Sequence, residues 1–272
     1  MSSPSASAAP PRRRRWPDRP GLARVALPLG VLAAVAVLQE GLTRSGVVNP
    51  VRFPPMSSVV STLFDEAASG RLWAPLAGTG ANWLASLALS FLVALALAVA
   101  LNALPLVHAL MAPVIAFLRP MPCTALIPLV ILSLGATAQG MVFLTTFGTV
   151  WQMLPVLARA VGRVDDVARD TARVFGFTPL QVLRWLTLRA LEPHILTALR
   201  IGATASLTLL ISMELLTGAS GVGRIISLAY AGSNLKLMYA YVLLSGLLGI
   251  VVNLASRQVL AHRLRYLEGG AR

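Results

Sequence analysis

The chain has 272 residues, of which 56% are hydrophobic and 12% charged, against about 45–50% apolar and about 25% charged in a soluble domain. Its net charge of +13 is carried almost wholly by arginine, but the arginines lie between apolar blocks and not along one soluble face, so nucleic acid is not an expected partner. These proportions exclude an ordinary soluble domain and describe an all-α, polytopic membrane protein embedded in the lipid bilayer.

Residues 1–20 read as a disordered basic tail, because Ser, Ala and Pro up to Pro11 and then Arg12 to Arg15 cannot bury a core. The first membrane span is predicted from Leu22 to Gln39, and residues 21–82 hold it together with an external segment. The membrane core occupies residues 83–260, followed by a short tail over 261–272. Within the core, apolar runs predict spans at Trp83–Asn102, Met121–Leu134, Met141–Ala160, His194–Thr217 and Leu237–Arg257, for about six in all. Leu104-Pro105 ends the second span, and His108 to Leu118 reads as a short interfacial helix. Arginines concentrate in the N-terminal tail, the loop after the fourth span and the C-terminus. The opposite segments carry only Arg44, Arg52, Arg71, Arg224 and Lys236, so the positive-inside rule places both termini in the cytoplasm.

One long loop, residues 161–193, is neither lipid-facing nor a plain connector. Asp165 and Asp166 suit a helix start, Arg173 suits its end, and Asp165 with Arg169 form an i,i+4 pair. Gly176 then supplies a left-handed stop. Thr178, Pro179 and Gln181 restart the chain as a T-x-x-Q capping box with Pro at the first helical position. The result is a predicted helix–turn–helix elbow with Phe175 and Phe177 flanking the bend. These rings either anchor the elbow to its own bundle or present knobs to a partner.

The segment Asp170-Thr171-Ala172-Arg173-Val174-Phe175-Gly176 resembles the E-A-A---G loop of ABC importer permeases, with Phe175 at the position of the family's leucine. Pro193 and Leu199-Arg200-Ile201-Gly202 keep the spacing of the later L-P-A-A-L-P and G-L-R-I-G stretches. Arg119-Pro120 through Pro128-Leu129, Phe53-Pro54-Pro55, and Glu214 with Gly218 to Gly223 match further family stretches in order. Three departures stand out: Asp170 for Glu, Thr171 for Ala, and Arg189 for the first proline, which removes a helix breaker. The chain is similar to the nitrate, sulfonate and taurine branch of the family.

That resemblance implies a transmembrane domain of the type I ABC importer kind. It implies a translocation path for a small solute, either a sulfonate-, taurine- or nitrate-like anion or a vitamin precursor. It further implies that Asp170, Thr171, Ala172, Arg173, Phe175, Gly176, Phe177 and Thr178 couple the chain to a cytoplasmic ATPase. The expected partners are that ABC ATPase, an extracytoplasmic solute-binding protein and a second permease copy. The chain itself is not expected to be an enzyme or to hold a cofactor. The only lysine, Lys236, lies in no G-x-x-x-x-G-K-[ST] loop, so ATP is left to the partner. Cys123 is the single cysteine, and His108, His194 and His262 are far apart, so no metal site is expected. Glu214 is the one acidic residue well inside a predicted span. It is read either as a structural pair with headgroups or Arg224, or as a gate on the substrate path. Gln152, Thr145, Thr146, Thr149, Ser206, Thr208 and Ser212 are read either as lining a polar path or as hydrogen-bonding between helices. A secondary transporter or channel without an ATPase is the rival reading.

Overall fold

The computed structural model describes residues 21–162, 170–172, 174–178, 181–182 and 188–269, with side chains described over the same stretches except 21–29, 188–190 and 260–269. Two compact units result, Met1–Met56 and Ser57–Arg272. Within the first, helix α1 (Gly21–Arg44) carries Val31, Leu32, Val35, Val37 and Leu38 exposed, a pattern suited to lipid. The chain after α1 folds back on its end: Gln39 Nε2 donates to the Pro54 carbonyl at 3.1 Å and Thr43 Oγ1 to that of Phe53 at 3.2 Å.

The second unit is a helical bundle of α2 (Met56–Ala68), α3 (Trp73–Ala103), α4 (Pro105–Leu118), α5 (Ile127–Leu134), α6 (Ala138–Val161), α7 (Leu188–Thr217), α8 (Val222–Ala231) and α9 (Leu235–Gly269). Among the described residues, four stretches are long and apolar enough to cross a membrane: Trp73–Ala103, Ala138–Val161, Leu191–Ala231 and Leu235–Val259. They contain the second, fourth, fifth and sixth predicted spans. The predicted third span is different. Its only α-helix, α5, has eight residues, about 12 Å of rise, which is too short for a ~30 Å hydrocarbon core. A 3₁₀ turn at Cys123–Leu126 precedes it, and with α4 it forms a pair bent by 88°. Pro105 opens α4, which contains the predicted interfacial helix, and Pro120 and Pro122 separate it from the turn and α5.

α3, α6 and α7 form the centre of the bundle. Ser86, Ser90, Ala94 and Ala98 recur every four residues on α3 and are wholly buried. On α6, Thr145, Thr149, Met153 and Leu157 recur at the same spacing, equally buried. A small-residue stripe lets backbones approach closely, which is how helices associate where lipid removes the hydrophobic drive. Ala94, Ala98 and Leu101 pack with Val150, Met153, Leu154, Leu157 and Ala198. Asn102 Nδ2 ties the ends of α3 and α6 by donating to the carbonyls of Ala98 at 2.7 Å and Ala158 at 3.0 Å. Trp83 Nε1 ties α3 to α7 through the Ala203 carbonyl at 3.0 Å.

The segment predicted as an external connector is also helical. α2 packs through Glu66, which receives Arg71 Nη2 at 2.7 Å and the Tyr241 hydroxyl of α9 at 3.2 Å. The hydrogen bond from Arg71 raises the pKa of its guanidinium above the ordinary value.

The seam predicts a size asymmetry at Ser90. Its hydroxyl bonds only within α3, to the Ser86 carbonyl at 2.6 Å, apart from a long contact to Thr146. Ser90→Ala should therefore change stability by less than about 1 kcal/mol. Ser90→Leu should overpack the seam and lower it by about 1–3 kcal/mol. Thermal unfolding of the purified protein in detergent compares the two, and equal melting temperatures would contradict the seam.

Candidate functional site

The elbow predicted between the fourth and fifth spans has the expected chemistry at its bend. Residues 170–172 and 174 are helical, and the Phe175 amide donates to the Thr171 carbonyl at 3.1 Å. The Phe177 amide then reaches back to the Ala172 carbonyl at 3.0 Å, the long bond of a Schellman stop. Gly176 sits between them with φ +70°. A Cβ at Gly176 would meet nothing within 4 Å, so conformation and not space requires glycine there. The restart is a reciprocal capping box. The Thr178 amide donates to Gln181 Oε1 at 2.8 Å, and the Gln181 amide donates to Thr178 Oγ1 at 3.3 Å.

Between these two devices the chain presents apolar surface. Val174 is 85% exposed, Phe175 75% and Phe177 46%. Asp170, Thr171 and Thr178 are exposed beside them, whereas Ala172 is buried. Arg173 lies outside the described residues, as do Asp165, Asp166, Arg169 and Pro179.

Glu214 lies near the other end of α7 and is wholly buried. Its partners are neither Arg224 nor a membrane surface. Thr79 Oγ1, from α3, donates to both carboxylate oxygens at 2.9 Å, and the Gly223 amide donates to Oε2 at 3.0 Å. The same Thr79 oxygen accepts the Val222 amide at 2.9 Å. The carboxylate and hydroxyl thus satisfy the first amides of α8, where helix polarity also favours a negative charge. The glycines at this junction are obligatory. Gly221 has φ +148°, and a Cβ there would overlap the Glu214 carboxylate. A Cβ on Gly223 would stand 2.6 Å from the Ile211 carbonyl oxygen and the Leu215 nitrogen.

Gln152, the other residue read as lining a path, opens onto a cleft of about 710 Å³ between α6, α7 and α9. Thr208, also among the residues considered from sequence, lines the same cleft. Thr197, Arg200, Thr204 and Asn253 line it too and were not singled out. The signal was present on α7, where Arg200, Thr204 and Thr208 recur every four residues and so share one face. Thr145, Thr149 and Ser206 are instead buried in the bundle. Among the described residues, no group of three or more His, Cys, Asp or Glu is placed to hold a metal ion.

The Glu214 knot makes its own prediction. Thr79→Val leaves the Val222 amide unpaired and takes a donor from a buried carboxylate, for a loss of about 1–3 kcal/mol. Gly223→Ala pushes α8 off α7 and should cost at least as much. Both appear as lower melting temperatures in detergent, and an unchanged transition in Thr79→Val would show the knot to be idle.

The model of the family described as "Binding-protein-dependent transport system inner membrane component" matches residues 90–266. The taurine transport system permease protein TauC of Escherichia coli (strain K12) is 28% identical over 218 residues, covering 77% of each chain. A putative ABC transporter permease protein of Methanocaldococcus jannaschii is 28% identical over 251 residues, covering 87% of this chain and 88% of the relative. The nitrate import permease protein NrtB of Synechocystis sp. is 23% identical over 256 residues, covering 89% and 91%. The fold is shared with inward-facing structures of the MetNI methionine ABC transporter. One chain superimposes with TM-score 0.60 at 20% identity, covering 72% of this chain and 98% of that one. A bundle held by a small-residue seam, an E-A-A-like elbow after α6 and this match agree: the chain belongs to the binding-protein-dependent transport system inner membrane component family, as an ABC importer permease subunit.

Proposed function

We propose that two copies of this chain form the path for a small anion and that the elbow at residues 170–178 is the handle by which a separate ATPase drives them. The arginine bias supports a cytoplasmic elbow and cytoplasmic termini. With no phosphate-binding loop of its own, the chain leaves ATP to that partner. Cargo capture falls to a separate binding protein outside the membrane, because the segment before α3 is occupied by the short helix α2 and offers no room for a binding domain. The relatives named for taurine and nitrate transport support a small oxyanion as cargo.

The observation that carries this reading is the bend. A lever must be rigid and must present a surface to grip. The Schellman stop and the capping box fix the backbone on both sides of Gly176, and Val174, Phe175 and Phe177 stand exposed between them. Exposed apolar and aromatic side chains on a stiff turn are the anchors that protein partners bury.

The test separates backbone conformation from side-chain bulk. Asn tolerates the left-handed region, whereas a β-branched residue is strained there by about 1–3 kcal/mol. Gly176→Val should reduce ATPase activity recovered with the tagged full-length chain from host membranes by about tenfold or more, since 1.4 kcal/mol is a factor of ten. Gly176→Asn should retain most of it, and membrane insertion should be equal in both. Equal recovery with Gly176→Val, or none with the unaltered chain, would reject the coupling role.

A further inference from the structure

We propose that the Arg200 cleft is an oxyanion-binding station inside the membrane, with Arg200, Gln152 and Asn253 as its ligand-binding residues. The inference rests on the permease reading and adds the site at which the cargo is held. Arg200 lies nine residues into the apolar stretch that starts at Leu191, about 14 Å along the helix. An ionised group within such a stretch is costly unless water, a counter-charge or a ligand meets it.

No counter-charge of the chain does so. Among the described residues, no acidic side chain lines the cleft, and no hydrogen bond or salt bridge holds the Arg200 guanidinium. Glu214, further along α7, is committed to Thr79 and Gly223. The remaining lining sorts by donor capacity. Thr204 Oγ1 and Thr208 Oγ1 already donate to carbonyls one turn back, at 3.4 and 3.0 Å. Recognition therefore falls to the guanidinium and to the side-chain amides of Gln152 and Asn253, all of which offer N–H groups. A fixed positive fork with neutral donors beside it and no carboxylate suits a planar or tetrahedral oxyanion: nitrate, a sulfonate or a carboxylate. A cleft of about 710 Å³ admits such a solute whole.

The test reads local charge and needs neither ATP nor a known cargo. Cys123 is the only cysteine, so C123S with T208C places one thiol in the cleft. The chain is purified in its complex and placed in phosphatidylcholine nanodiscs. The introduced thiol is labelled with anionic 2-sulfonatoethyl or cationic 2-(trimethylammonium)ethyl methanethiosulfonate, and the anion-to-cation rate ratio is compared with that of a free thiol in solution. The ratio should be raised by about tenfold or more by the focused field of the cleft. R200Q should abolish the preference and R200K should keep most of it.

A second readout needs no arginine variant. Sodium nitrate or taurine should slow labelling relative to sodium chloride at equal ionic strength. A ratio equal to that of the free thiol, or no protection by either solute, overturns the proposal. So does labelling that slows only when anionic lipid is added to the discs, which would assign the arginine to a headgroup. Flat labelling with normal recovery of ATPase activity defeats this site alone. Loss of ATPase recovery by the unaltered chain defeats the permease reading and leaves the labelling rates intact.

Discussion

The bundle turns on one hydroxyl. Thr79 Oγ1 donates to Glu214 and accepts from the Val222 amide, so α3, α7 and the first turn of α8 meet at a single oxygen. Water is absent from a bilayer core, so each of these groups must find its partner within the protein. Removing the hydroxyl strands the Val222 amide and leaves the Gly223 amide as the carboxylate's remaining donor, while Gly221 and Gly223 leave room for Glu214 and the α7 backbone. The knot also fixes one end of α7. The same helix carries Arg200 at mid-length, and its other end, at Leu188, adjoins the elbow loop. A cleft in the middle of a helix can keep its shape only if the helix is held, and here it is held far from the cleft.

What sequence made legible follows the range of the interaction. The elbow was readable because its rules are local. A glycine with positive φ and a threonine three residues before a glutamine each announce themselves within one turn. The long apolar helices were readable by hydropathy, though α3 begins at Trp73, before its predicted start at Trp83. Gly78, Thr79, Gly80 and Asn82 hide its first turns. α2 and α8 were missed because each is short and joined to its neighbour by glycine-containing turns that read as loop. The third span is carried by the short helix α5, which meets α4 at a bend of 88° where Pro120 and Pro122 interrupt the run.

The interior polar residues resisted for a different reason. Glu214 was visible as an anomaly, but its partners are 135 residues upstream and nine residues downstream. From sequence, a headgroup, Arg224 and a gate were equally sound readings. Arg200 was visible only as part of a family stretch. Its role as a cleft residue needs α6 and α9 brought beside α7, which no local pattern encodes. The adjoining Gly202 shows the other face of the same stretch: a Cβ there would stand 2.5 Å from Met153 Sδ, so the residue serves the α6–α7 contact. One short run of sequence thus presents a charge to one side and a close packing surface to the other.

The departure at Arg189 bears on how force would travel. In the family pattern a proline stands there, and it would break a helix or end one. In this chain α7 begins at Leu188 and runs through Arg189, past Pro193, to Thr217 without interruption. The cleft residues Arg200, Thr204 and Thr208 all ride on this one helix. On the coupling proposed above, a pull delivered at the elbow would displace the cation against Gln152 on α6 and Asn253 on α9. Parting those three donors weakens their common grip on an anion, because recognition by several groups depends on their convergence. A path must bind its solute firmly enough to admit it and loosely enough to release it. Spreading the donors over three helices would meet both needs through movement and not through any change of chemistry.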